Sequence, residues 1–82
     1  MTMTKKEIQD QLTKEVATRF NVDIKKVTDK LDFTKDIDAD SIDFVELVLE
    51  LESEYNIEIP DDDAAKLVTF GQTVDYIYKN IS

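Results

Sequence analysis

The segment Ser41-Ile42-Asp43-Phe44-Val45-Glu46-Leu47-Val48-Leu49-Glu50-Leu51-Glu52-Ser53-Glu54-Tyr55 constrains the fold more than any other part of the chain. Set at 100° per residue, Phe44, Val45, Leu47, Val48, Leu49, Leu51 and Tyr55 cover well over half of a helix circumference. A helix of that kind is buried on more than one side, so it predicts the central element of a helical bundle. Its polar remainder is a narrow stripe of Asp43, Glu46, Glu50, Ser53 and Glu54. The predicted helix runs over 41–55 and stops at Asn56-Ile57-Glu58-Ile59-Pro60, because Pro60 disfavours a helical Ile59 and cannot itself sit within a helix.

Three further helices follow from the same kind of reading. Thr4-Lys5-Lys6-Glu7 has the form of a capping box. Behind it Ile8, Leu12, Val16, Ala17 and Phe20 recur at helical spacing, which predicts a helix over about 5–20. Asn21-Val22-Asp23 breaks it. Residues 21–40 hold no long periodic pattern and read as a long loop, with one helical turn near Ile24 to Val27. Val22, Ile24, Val27, Leu31, Phe33 and Ile37 are its candidate anchors. Asp61, Asp62 or Asp63 is expected to cap a short third helix through about Leu67. Thr69 and Gln72 form a second capping-box pattern. It opens a last helix that places Val74, Ile77, Tyr78 and Ile81 on one side. The predicted fold is all-α: a four-helix bundle with a short third helix and a long loop between helices one and two. Residues 1–82 are expected to form one domain, since so short a chain cannot supply two cores.

Two absences narrow the chemistry. The chain has neither cysteine nor histidine, so it offers no disulfide, no thiolate and no imidazole for proton transfer near neutral pH. A pair of carboxylates is a formal alternative, but it needs a walled cleft that so short a chain can hardly build. A non-catalytic role is expected. The net charge of −9 excludes ordinary nucleic-acid binding and would repel anionic membranes. The longest apolar runs are only a few residues, and the start has no apolar signal core, so a cytoplasmic protein is the simplest reading. The charge is also uneven. Most lysines and the only arginine lie between Lys5 and Lys35, and no basic residue occurs from Asp36 through Asp63.

Asp38-Ala39-Asp40-Ser41-Ile42-Asp43 joins the long loop to the central helix. Ser41 or Asp40 suits a helix cap there. If Asp40 takes the cap, Ser41 falls in the first turn with its hydroxyl free for another use. The sequence here resembles the acyl carrier protein family. The resemblance is carried by Asp40-Ser41-Ile42 with Asp43-Phe44-Val45-Glu46-Leu47-Val48, and extends to Leu51-Glu52, Ile57-Glu58-Ile59-Pro60-Asp61 and Val74-Asp75-Tyr76-Ile77. It implies that Ser41 accepts 4′-phosphopantetheine from coenzyme A, through a separate Mg²⁺-dependent phosphopantetheinyl transferase, with Asp40 and Ile42 flanking the attachment point. It also supplies the thiol that the polypeptide lacks. Two departures are visible: Asp38 where the family usually has Gly, and Ile42 where it usually has Leu. They bear on partner preference rather than on attachment.

The acidic stripe is either a solvated face or a docking surface. Like charges at i,i+4 cost an isolated helix about 0.2–0.5 kcal/mol per pair, so stability alone would have interleaved lysines. Asp40, Asp43, Glu46, Glu50 and Glu52, with Asp61 nearby, are therefore the candidate contacts for basic partners, and Ile42 adds an apolar edge. The resemblance implies that these partners are the transferase, fatty acid synthase enzymes and acyltransferases, and that the carrier acts as a monomer of the free-standing, fatty-acid type. Val45, Leu51, Ile59, Leu67 and Tyr76 read first as core, and the resemblance makes them candidate lining for an acyl chain. Alternatives within the family are a D-alanyl carrier and a polyketide or peptide-synthetase carrier. From other classes come a plain helical interaction module, with Ser41 only a cap, and a calcium loop. Asp36-Ile37-Asp38-Ala39-Asp40 opens like an EF-hand, but Ser41, Asp43 and Leu47 stand where Gly, an apolar residue and Glu are required.

Overall fold

The computed structural model describes residues 3–37 and 40–81; Asp38, Ala39 and the side chain of Ser41 lie outside the described residues. Helix α1 spans Lys5–Arg19, α2 Ser41–Tyr55, α3 Asp61–Ala64 and α4 Phe70–Ile81, with one 3₁₀ turn at Ile24–Lys26. The capping box at the start of α1 forms as its residues predict: Thr4 Oγ1 accepts from Glu7 N–H at 3.1 Å, and Glu7 Oε1 accepts from Thr4 N–H at 2.9 Å. The helix ends beyond Arg19, where Asn21 takes φ 54°, a left-handed conformation that asparagine tolerates better than most residues. Asn56 ends α2 in the same way, at φ 53°.

The third helix departs from expectation. Pro60 stands at its N-cap, with φ −60° and ψ 155° and no side-chain capping bond, so none of the three aspartates is the cap. Pro60 needs no N–H partner, and its carbonyl accepts from Ala64 N–H at 2.9 Å, which starts the helix at Asp61. Asp61, Asp62 and Asp63 occupy the first turn, where the helix dipole favours negative charge. The helix closes at Ala64 rather than Leu67. In α4 the second capping box is present, with Gln72 N–H on Thr69 Oγ1 at 3.2 Å and Thr69 N–H on Gln72 Oε1 at 2.9 Å. The buried face of α4 is Phe70, Thr73, Val74 and Ile77. Tyr78, expected on that face, is exposed, and Ile81 is half-buried.

The core joins Ile8, Leu12 and Val16 of α1 to Leu47, Leu51 and Tyr55 of α2 and to Phe70, Val74 and Ile77 of α4. Helix α1 runs against α4, and the Tyr55 hydroxyl donates to Gln11 Oε1 at 3.1 Å across α1 and α2. Val45 and Leu49 correct the expectation for α2, for both are more than half exposed. The helix is buried along one side, and its apolar residues on the outer flank face solvent.

The long loop is fastened by backbone as well as by side chains. Phe33 N–H donates to the Val68 carbonyl at 2.9 Å, Phe70 N–H to Leu31 at 2.9 Å, and Gly71 N–H to Asp29 at 3.0 Å. These bonds tie it to the α3–α4 connection. Val27, Leu31, Phe33 and Ile37 are buried as anchors, whereas Ile24 is half exposed. Phe33 also lies between Phe20 and Phe44, with ring centroids 6.5 and 5.9 Å away. Such pairs contribute about 0.5–1.5 kcal/mol each beyond area burial, and these two link α1, the loop and α2.

Two tests follow from this packing. A Cβ at Gly71 would stand 2.9 Å from the Asp29 carbonyl oxygen, so Gly71→Ala must push the loop away from α4. It is expected to lower stability by about 1–2 kcal/mol, read as a lower urea midpoint at unchanged slope. The second concerns Glu15, whose Oε2 is sealed from solvent at the side of α1 that faces α2. Burial first, then a hydrogen bond and charge repulsion from Glu54 and the charge of Glu50, push its carboxyl up from 4.5 to about 8, against the opposing pull of Arg19. A protonated Glu15 avoids both a buried charge and repulsion from Glu54 and Glu50. Because the folded value lies above the unfolded one, this stabilisation is complete below about pH 4.5 and is lost as pH rises through about 8. Glu15→Gln is expected to flatten that dependence and to raise the melting temperature at pH above 8, where the parent carries the extra buried charge. A melting series across this range checks it.

Candidate functional site

The start of α2 resolves the competition between Asp40 and Ser41. Asp40 has extended backbone (φ −85°, ψ 176°), and its Oδ1 accepts from Asp43 N–H at 2.9 Å. Asp40 is the cap, and Ser41 is the first residue of the helix. Ser41 therefore has no capping duty at this end, and its neighbours Asp40 and Ile42 are both exposed.

Beyond this turn the outer side of α2 has two parallel strips. One is acidic: Glu46, Glu50 and Glu54 are exposed and Asp43 is half-buried. The other is apolar: Ile42, Val45 and Leu49 are 67 %, 53 % and 59 % exposed, at i, i+3 and i+7 spacing. Of this second strip the sequence reading singled out Ile42 as a partner contact and Val45 only as core or acyl-chain lining. The strip's spacing was visible, yet nothing in the sequence says which apolar row of a helix the other elements will cover.

Glu52 does not belong to the acidic strip. It is half-buried on the α3 flank, and its Oε2 accepts from Ile59 N–H at 3.0 Å, fastening the segment before α3. Asp61 is exposed at the start of α3, across from α2. Asp36, counted in the EF-hand-like opening, turns back on its own loop and accepts from Asp32 N–H at 2.9 Å. On the opposite flank Arg19 of α1 bonds Glu50 through Nη2 and stands 3.5 Å from Glu46 through Nη1. The sequence reading missed this residue as part of the site; its one signal was being the chain's only arginine.

A family model described as the phosphopantetheine attachment site matches residues 10–77. The acyl carrier protein of Lactobacillus johnsonii is 52% identical over 75 residues, which cover 92% of this chain and 94% of that protein. That of Helicobacter pylori is 49% identical over 65 residues, covering 79% and 83%. The chain belongs to the acyl carrier protein family. A solved acyl carrier protein structure from Enterococcus faecalis superposes with a TM-score of 0.85 at 44% identity, covering 95% of this chain and 99% of that one. The family is one of carriers rather than catalysts, and its members work with a covalently attached phosphopantetheine. No helix among the described residues is long and apolar enough to cross a membrane.

For a carrier, the spaces beside α2 matter. A cleft of about 100 Å³ between α2 and α3 is lined by Phe44, Val45, Val48, Leu49, Glu52, Ile59, Asp61 and Ala64. Of the residues expected to line an acyl pocket, Val45 and Ile59 are here. Leu51 and Leu67 are instead buried core. Tyr76 is half-buried, and its hydroxyl donates to Asp63 Oδ2 at 2.7 Å.

The cap gives a direct test. Asp40→Ala is expected to cost about 1 kcal/mol of stability, measured by denaturant titration, whereas Asp40→Ser should recover most of it.

Proposed function

We propose that this protein carries acyl intermediates as thioesters on a 4′-phosphopantetheine arm joined to Ser41, in fatty acid biosynthesis. The observation that supports the site assignment is the Asp40 cap: it takes the N-cap position and leaves Ser41 as the first helical residue. The prosthetic group supplies the thiol, since the chain has no cysteine. At a helix N-terminus the backbone N–H groups and the dipole favour the phosphodiester's negative charge, and offset its repulsion from Asp40 and Asp43. The relatives' shared name and their close match over nearly the full chain support the free-standing type.

The outer side of α2 is the surface on which the transferase, the synthase enzymes and acyltransferases dock. Asp43, Glu46 and Glu50 draw cationic partner surfaces from a distance, and Ile42, Val45 and Leu49 add apolar contact once they arrive. The cleft at Val45 and Ile59 gives the first atoms of an acyl chain an apolar lining. Glu52, half-buried, also holds the segment before α3 through its bond from Ile59 N–H.

Intact mass before and after incubation with coenzyme A, Mg²⁺ and a broad-specificity phosphopantetheinyl transferase tests the assignment. The parent should gain one phosphopantetheine and Ser41→Ala none. A folded parent that gains nothing, while a known carrier alongside is modified, would return the chain to a plain acidic bundle.

A further inference from the structure

The acidic strip already has a cation on it. Arg19 ends α1 and reaches across to α2, where its guanidinium bonds Glu50 and approaches Glu46. Its side chain is only 22% exposed, whereas those of Glu46 and Glu50 are 59% and 55% exposed. The arginine is thus packed into the groove between the helices, and the carboxylates it neutralises stay open to solvent. That groove, about 500 Å³, is lined by Lys14, Glu15, Thr18, Arg19 and Glu50. The stretch from Asp36 to Asp63 has no basic residue of its own.

We propose that Arg19 is an internal competitor for the docking strip: it holds the carboxylate oxygens of Glu46 and Glu50 that a lysine or arginine on a partner's cationic surface must bond. The inference rests on the reading of α2 as the docking surface and adds the residue that tunes it. A guanidinium fork can bridge two carboxylates, which the point charge of a lysine does poorly, so arginine at this position occupies both at once. A partner must share or displace it. Removing it adds one unit of negative charge to the strip and frees both carboxylates, which speeds encounter and tightens docking. Both effects fade with salt, because the charges concerned are exposed.

A plain alternative is that Arg19 only staples α1 to α2. The two are separated by transferase kinetics on the apo protein, comparing the parent with Arg19→Gln, Arg19→Lys and Glu46→Lys, at a temperature where circular dichroism shows all four folded. Measurements at about 0.01 M and about 1 M ionic strength set the Debye length near 30 and 3 Å. A competitor predicts that Arg19→Gln lowers KM about two- to fivefold at low salt, the weight of an exposed ion pair in an equilibrium, with the difference gone at high salt and kcat little changed. Arg19→Lys should move KM the same way by less, and serves where the glutamine variant is unfolded. An unchanged or raised KM in the Arg19 variants, with Glu46→Lys raising KM, overturns the competitor and leaves a staple. If Glu46→Lys also leaves KM unmoved at low salt, the docking surface itself fails and the competitor with it.

Discussion

Burial of one side of α2 against α1 and α4 is the interaction on which the rest of the molecule depends. Leu47 and Leu51 are about 1% exposed and share one buried cluster with Ile8, Leu12, Val16, Phe70, Val74 and Ile77. A fully buried side chain of this kind contributes about 1.5–3 kcal/mol, against about 0.2–0.5 kcal/mol lost to each pair of like charges on the outer side. The apolar side therefore decides that the helix exists and where it lies. The outer side is then left to other uses, and it carries both the acidic strip and an exposed apolar row.

The acidic strip is nonetheless an electrostatic load on the fold. The last turn of α2 has no basic residue, and Glu52 and Glu54 lie near the negative end of its dipole. The fold relieves the load from outside the helix. Arg19 supplies a cation from α1, and Glu15 holds a proton well above the usual carboxylate range. Glu52 turns to a backbone N–H instead of solvent. The first two reliefs come from α1, distant in sequence. The acidic surface and the helix pair beneath it are in this sense one electrostatic unit, in which changes on α1 are felt on the outer side of α2.

Much of this architecture was legible in the sequence because its signals are local. The capping boxes at Thr4–Glu7 and Thr69–Gln72 each lie within one turn, and both form as the residues predict. The asparagine breaks, the single helical turn near Ile24 and the order of the four helices were equally local. What failed were statements about which neighbour a side chain meets. Val45, Leu49 and Tyr78 are apolar or aromatic at helical spacing, yet they are exposed, because the short α3 and the other helices are not long enough to cover every row. Leu51 and Leu67, read first as core, are core.

For this protein the sequence by itself determined the order of the helices, the capping boxes that open α1 and α4, the anchored loop, the placement of an acidic segment after Asp40-Ser41-Ile42 and the family those residues resemble. These rest on propensity, periodicity and charge, which a residue carries with it. The structure chose Asp40 over Ser41 as the cap of α2, a contact within one turn. Only the tertiary structure decided that Glu52 meets the segment before α3 and that Arg19 lies across Glu46 and Glu50. Hydrogen-bond and ion-pair partners are set by distances of a few ångströms between elements that the chain brings together last, and no spacing along the sequence encodes them.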